Sequence, residues 1–244
     1  MLNCATTTLL SFIKKLSIRK DSAHFWSYLS IITFASFSIS LAMTQTSNVS
    51  KTLYLIRHAE SEENVRIQGL RNVGRSIRHF KFPSKKDMKL GTEGLHGFLS
   101  GHTDAELSSN GRKQVNRLSE VLSEANFLSK ISKIGHSPLK RAKETCNGIV
   151  GNEHKDTEII ELDCLCELTP SEFVLQANKP GRARIRDLCD WLDKQRDDSI
   201  ALVGHSQYFL LMLGMKEKLR NCDVCKVDYQ GNGLFSNPEI MYRI

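Results

Sequence analysis

Aromatic residues make up only 7% of this 244-residue chain, prolines number five, and no internal repeat is visible. Without a short-period repeat rich in glycine and proline, a collagen-like chain is excluded, and without a sustained heptad pattern so is a coiled coil. Long apolar runs are missing apart from one weak stretch near the N-terminus, which excludes a multi-span membrane protein. Seven cysteines over this length are too sparse for a small disulfide scaffold, and an odd number cannot all pair within the chain. What is present is ordinary for a soluble globular protein, with 40% hydrophobic and 25% charged residues. That is enough for one sizeable core and too much order-forming residue for a disordered chain.

Charge is unevenly spread. The net charge is +7, of which residues 1–50 hold +3 and residues 66–100 hold +6, leaving −2 on the rest. A nucleic-acid binder carries a basic stripe on its folded body with aromatic stacking residues or a reading motif. Neither is present, so nucleic acid is not expected as a partner.

Residues 1–50 differ from the rest of the chain. Lys14, Lys15, Arg19 and Lys20 precede an uncharged stretch from Phe25 to Met43, in which six serines and threonines weaken the apolar character. A basic flank before such a run reads as a targeting or anchoring segment that makes contact with a membrane. Signal peptide, signal anchor and Ser-rich transit peptide all fit, as does an upstream extension with no role, since Met43 stands just before the first core strand. Organelle targeting or membrane anchoring is therefore the expected localisation, with the cytoplasm as the alternative.

From residue 51 onward the pattern alternates. Thr52 to Ile56, Lys133 to Gly135, Thr157 to Glu161 and Ser199 to Val203 read as short strands. Val115, Leu118, Leu122 and Ala125 share one face of a helix starting near Ser108, and Ile185, Leu188, Cys189 and Leu192 do so in a later one. Such alternation predicts a three-layer α/β/α sandwich with a mostly parallel central sheet. Residues 66–100 interrupt it with five glycines, Pro83 and scattered cations, and read as a basic insertion without regular structure, either a lid or a solvated loop.

Two histidines occupy matching places, each directly after a strand: Arg57-His58 after the first and Gly204-His205-Ser206 after the last. In open parallel sheets ligands bind at the carboxyl ends of the strands, so both imidazoles are expected in one crevice. Ser137-Pro138-Leu139-Lys140-Arg141 adds a helix start, with Ser137 as expected N-cap, Pro138 at the first helical position, and Arg141 one turn in. Two guanidinium forks and two imidazoles around a helix N-terminus suit a phosphoryl group.

On these residues the sequence resembles the histidine phosphatase superfamily, which includes phosphoglycerate mutase-like proteins. The arginine-histidine block is Leu55 to Ser61 with Asn64. The second is Gly101-His102-Thr103-Asp104 with Leu107, Ser108, Gly111 and Gln114. The third is Ser137-Pro138-Leu139 with Arg141, Ala142 and Thr145, followed by Leu165-Cys166-Glu167 and by Val203 to Ser206. The resemblance implies that His58 is the nucleophile, forming a phosphohistidine, and that Arg57, Asn64, Arg141 and His205 bind the phosphoryl oxygens. His205 also counts among the catalytic residues, and Glu167 is the general acid. It implies a histidine acid phosphatase-like monoester hydrolase with no cofactor and no metal.

Two alternatives stand beside hydrolysis. A phosphoglycerate mutase-type transfer is one, though Leu168-Thr169-Pro170-Ser171-Glu172 after the acid lacks the basic residue mutases carry there. A non-catalytic, tethered phosphate-binding module is the other, disfavoured because all five key side chains are intact. The expected partner is a small phosphorylated substrate or a phosphoprotein. Phosphosugars, small phosphorylated acids, inositol phosphates and phosphoproteins all fit the pocket, and the oligomeric state stays open. Cys222-Asp223-Val224-Cys225 has metal-like spacing without a second pair, so no zinc site is expected.

Overall fold

A computed structural model describes residues 50–100, 104–151, 157–169, 172 and 179–244, without the side chains of 98–100. The N-terminal segment and Gly101-His102-Thr103 lie outside the described residues. Elements run β1 (Lys51–Arg57), α1 (Glu62–Arg78), α2 (Lys85–Ser100), α3 (Ser109–Glu124), β2 (Lys133–His136), α4 (Lys140–Val150) and β3 (Glu158–Glu161). They continue with α5 (Lys179–Lys194), β4 (Ser199–Gly204), α6 (Ser206–Leu213), β5 (Val224–Tyr229) and β6 (Glu239–Tyr242).

The sheet order is β3-β2-β4-β1-β5-β6. β3, β2, β4 and β1 are mutually parallel, whereas β5 pairs antiparallel with β1 and β6 antiparallel with β5. Strand alternation sends side chains to opposite faces. Ile56, Ala201 and Val203 therefore pack with Val115, Leu118, Leu122, Ala142 and Cys146 under α3 and α4. Leu53, Leu55, Ile200 and Leu202 pack with Leu188, Leu192, Tyr208 and Phe209 under α5 and α6. The expected three-layer α/β/α sandwich is the fold, and all four expected strands are present within a residue of their expected ends.

The reading of residues 66–100 as unstructured is corrected. They form most of an antiparallel helical hairpin, α1 and α2. Ser61 opens α1 with a capping box, its Oγ accepting from Asn64 N while Asn64 Oδ1 accepts from Ser61 N. The glycines that suggested a loop are instead points of close helix contact. A Cβ on Gly69 would lie 2.4 Å from Leu90 Cβ, and one on Gly94 would lie 2.8 Å from Arg66 O.

A second correction concerns α4. Its first residue is Lys140 with Leu139 at the cap, so Ser137 and Pro138 precede the helix. The cap donor at Lys140 N is met from outside, by Asp104 Oδ1 at 2.7 Å, which frees the Ser137 hydroxyl for another partner. No helix among the described residues is long and apolar enough to cross a membrane.

Candidate active site

Backbone pairing sets the two imidazoles side by side. Arg57 of β1 is in register with Gly204 of the parallel β4, and His58 N donates to Gly204 O at 3.0 Å. The next residues are thus His58 and His205, with ring centroids 5.1 Å apart. His58 Nδ1 lies 2.6 Å from Ala59 O. A carbonyl only accepts, so Nδ1 carries the proton and the neutral ring has its lone pair on Nε2. Burial, then the charges of Arg141 and Arg57, hold His58 well below the usual histidine range.

The loop after His58 is clamped. Ala59 N donates to Thr145 Oγ1 at 3.0 Å, and that hydroxyl donates to Arg141 O at 2.6 Å. Glu60 N donates to Gln114 Oε1, Ser108 N to Glu60 O, and Ser108 Oγ to Glu60 Oε1. Thr145, Leu107, Ser108, Gly111 and Gln114, which the sequence shows only as members of the family-like blocks, pack or hydrogen-bond against the His58 loop.

Arg57 is anchored by Nη1 donating to Leu219 O at 2.7 Å. Its Nε is buried with no hydrogen-bond partner among the described residues. Burial lowers the Arg57 pKa, opposed by the carboxylates of Glu167 and Asp223. His205 is fully buried, with Nε2 hydrogen-bonded to Ser137 Oγ at 2.8 Å. Asn64 spends its Oδ1 on the helix cap, leaving its amide nitrogen as the donor toward a ligand.

Glu167 Oε1 accepts from Leu168 N at 2.9 Å and Tyr208 N at 3.1 Å, in the first turn of α6. Burial pushes this carboxyl above the usual glutamate range, outweighing those N–H donors and the Arg141 charge. Its protonated form is favoured accordingly, as proton donation to a leaving group requires. Nearby Arg184 is held by Glu172 through two hydrogen bonds of 3.0 and 2.9 Å.

Three participants have no signal in the sequence blocks. Glu63, in the first turn of α1, pairs with Arg141, its Oε2 3.0 Å from Nη1. Asn221 Nδ2 donates to His58 O at 2.9 Å. Lys218, whose pKa is lowered by burial and by Arg71, also feels Glu167 and Arg57, so the α6–β5 loop brings a cation toward the site. The helix-cap pattern from Ser61 to Asn64 is the only clue that would have placed Glu63 at the pocket.

Two sizeable clefts lie elsewhere. One of about 580 Å³ is lined by α5, α6 and the β5–β6 turn, and one of about 430 Å³ by the α6–β5 loop and β6. Neither is lined by His58, Arg141 or Glu167. Among the described residues no group of three or more His, Cys, Asp or Glu side chains could hold a metal. Burial pushes the thiols of Cys222 and Cys225 up to about 12 and about 11, which favours their protonated form.

Paired imidazoles at adjacent ends of parallel strands, flanked by two guanidinium groups and a carboxyl, have the chemistry to receive an anion such as a phosphoryl group. The model of the histidine phosphatase superfamily (branch 1) matches residues 92–199. That span takes in Arg141 and Glu167 and stops short of Arg57, His58 and His205. Curated proteins yield no match. Among solved structures, a phosphoserine phosphatase from Entamoeba histolytica in complex with 3-phosphoglyceric acid is 18% identical, with a TM-score of 0.48, covering 79% of this chain and 95% of that one. A mycobacterial glucosyl-3-phosphoglycerate phosphatase is 17% identical, with a TM-score of 0.42, covering 73% and 90%. The resemblance read from the sequence is borne out over residues 92–199, where the chain is similar to the histidine phosphatase superfamily (branch 1).

Proposed function

We propose that this protein hydrolyses phosphate monoesters through a phosphohistidine on His58. The observation that carries the reading is the His58 ring itself, neutral, buried, and with Nε2 as the only ring nitrogen bearing a lone pair. Nε2 attacks phosphorus and the ester P–O bond breaks. Glu167 gives its proton to the departing oxygen. Water then attacks the phosphohistidine, Glu167 takes the proton from that water, and phosphate leaves with His58 restored.

Charge spread over the three equatorial oxygens needs donors fixed in advance. Arg57, Arg141, His205 and the amide of Asn64 supply them, and the buried Nε of Arg57 is a donor that an oxyanion would satisfy. Arg141 starts from its pair with Glu63, so a phosphoryl group competes with that carboxylate for the guanidinium. The Ser137 hydroxyl orients His205, and Thr145 couples the Arg141 turn to the His58 loop.

Hydrolysis is favoured over mutase transfer because Arg184, the cation lying against the Glu167 carbonyl, is already engaged by Glu172. The test is brief incubation with a 32P-labelled aryl phosphate and an alkaline quench. Acid-labile, alkali-stable label on the wild type and none on His58→Ala supports the reading. Equal labelling, or a variant keeping more than about a hundredth of wild-type kcat/KM, overturns it.

A further inference from the structure

The turn joining α1 to α2 presents residues that the core does not use. Phe80 and Phe82 are both fully exposed, each at 101%, and Ile77 and Met88 beside them are more than half exposed. Arg75, Arg78, Lys81, Lys85, Lys86 and Lys89 surround them, and none forms an ion pair among the described residues. The one acid between residues 75 and 89 is Asp87, and it is occupied. Its carboxylate accepts from Ser84 Oγ at 2.6 Å and Asn72 Nδ2 at 3.0 Å, closing the N-terminus of α2 onto α1.

The backbone at this tip is well defined. Lys81 N donates to Ser76 O at 2.9 Å and Phe80 N to Ile77 O at 3.1 Å, the hydrogen-bond pair of a Schellman cap. Phe80 occupies the left-handed position of that cap at φ 53°, where glycine is the low-strain residue. A strained, fully exposed phenylalanine there is a local cost with no return inside the domain.

Two protruding aromatics within a ring of unpaired cations have the chemistry of an interfacial membrane contact. The apolar groups enter the headgroup–acyl boundary, and the cations meet anionic lipid. Six cations stand against one carboxylate, Asp87, that is already hydrogen-bonded to Ser84 and Asn72, and this excess of positive charge around fully exposed aromatics favours an anionic bilayer surface over an apolar protein groove. We propose that the α1–α2 tip is a membrane-docking element, with Phe80 and Phe82 inserting into an anionic bilayer and Arg75, Arg78, Lys81, Lys85 and Lys86 binding its headgroups.

The test uses the full chain and vesicles of phosphatidylcholine, with or without 30 mol% phosphatidylserine. Because the N-terminal segment is itself expected to contact membranes, the readout is placed at the tip. Phe82→Trp is examined with acyl-chain-brominated lipid, with wild-type fluorescence from Trp26 and Trp191 subtracted. Quenching of the introduced indole in anionic vesicles, reversed by high salt, is the expected result. The double variant Phe80→Gly/Phe82→Ser is expected to bind the anionic vesicles on the order of tenfold more weakly. Its Tm is expected to be unchanged or higher, because glycine relieves the strained position. An unquenched indole on vesicle-bound protein overturns the proposal, as does equal vesicle binding by the double variant. Loss of self-association by that variant with vesicle binding intact also overturns it and assigns the tip to a protein contact.

Discussion

A single methyl group at Gly111 tests whether the His58 loop depends on the helix that buttresses it. A Cβ there would stand 1.9 Å from Glu60 O and 2.9 Å from Glu60 C, both backbone atoms. Ordinary contact begins near 3.4 Å, so α3 and the loop must separate by about 1.5 Å. Three hydrogen bonds span that gap: Ser108 N to Glu60 O at 2.9 Å, Glu60 N to Gln114 Oε1 at 2.8 Å and Ser108 Oγ to Glu60 Oε1 at 2.6 Å. Overpacking costs about 1–3 kcal/mol and each stretched hydrogen bond about 1 kcal/mol, so Gly111→Ala is expected to lose about 4–6 kcal/mol. For a domain of about 200 residues this lowers Tm by roughly 8–24 °C. Moving His58 by about 1 Å is expected to lower kcat/KM by about a hundredfold. Differential scanning calorimetry and p-nitrophenyl phosphate turnover measure both. Gly74→Ala is the control: a Cβ there meets nothing within 4 Å, and the helix interior is expected to gain about 0.5–1 kcal/mol. A Gly111→Ala protein within about 2 °C and threefold of wild type would refute the buttress.

Four further outcomes follow from the site. The proposed mechanism needs His58 neutral and Glu167 protonated, and their pKa values are displaced below 6.5 and above 4.5 respectively. The kcat/KM profile is therefore expected to be bell-shaped with its maximum on the acid side of neutrality, and a plateau extending to pH 9 would contradict the assignment. The same histidine makes folding pH-dependent: unfolding takes up a proton below about 6.5, so stability falls with acidity by up to about 1.4 kcal/mol per pH unit, a slope that His58→Asn should remove. Glu63→Gln removes the carboxylate that competes with phosphate for Arg141 and is expected to tighten inhibition by inorganic phosphate on the order of tenfold, whereas weaker inhibition would make Glu63 an orienting partner. Glu167→Gln is expected to slow alkyl phosphates far more than aryl phosphates, since a phenolate departs without a proton, and equal losses would remove Glu167 from the acid role.

The strands and the paired histidines were legible because each depends on a local pattern. SIALV and TLYLI are short, β-branched and apolar, which reads as core strands, and a histidine directly after each then stands at the sheet's carboxyl edge. The hairpin was not legible, because Gly69, Gly91 and Gly94 carry the same letters whether they loosen a loop or let two helices touch. α1 buries little besides Gly69, so no apolar stripe announced it. β5 was hidden by the cysteine spacing: Cys222 and Cys225 drew attention as a metal-like pair that lacks a second pair, while the burial of Val224, Cys225, Val227 and Tyr229 is that of a strand. Ser137 has the residue type and place of a cap, yet Asp104, 36 residues away in sequence, caps α4. Only three-dimensional proximity could show that. Glu63 and Asn221 escaped for the same reason, since each acts through a partner far along the chain.

The register that joins Arg57 to Gly204 also determines how the site comes apart. His58 N is bonded to Gly204 O, Arg57 N to Asp223 O and Cys222 N to Arg57 O, so the backbone beneath the nucleophile is tied to strands on both sides of β1. Those amides exchange with solvent only when the sheet itself opens, placing them in the most protected class of the domain. The strand ends that carry the two imidazoles are therefore held in register as long as the sheet exists and separate only with it. Fraying of the α1–α2 hairpin or of the edge strand β6 leaves that register untouched, so loss of the register and global unfolding are one event.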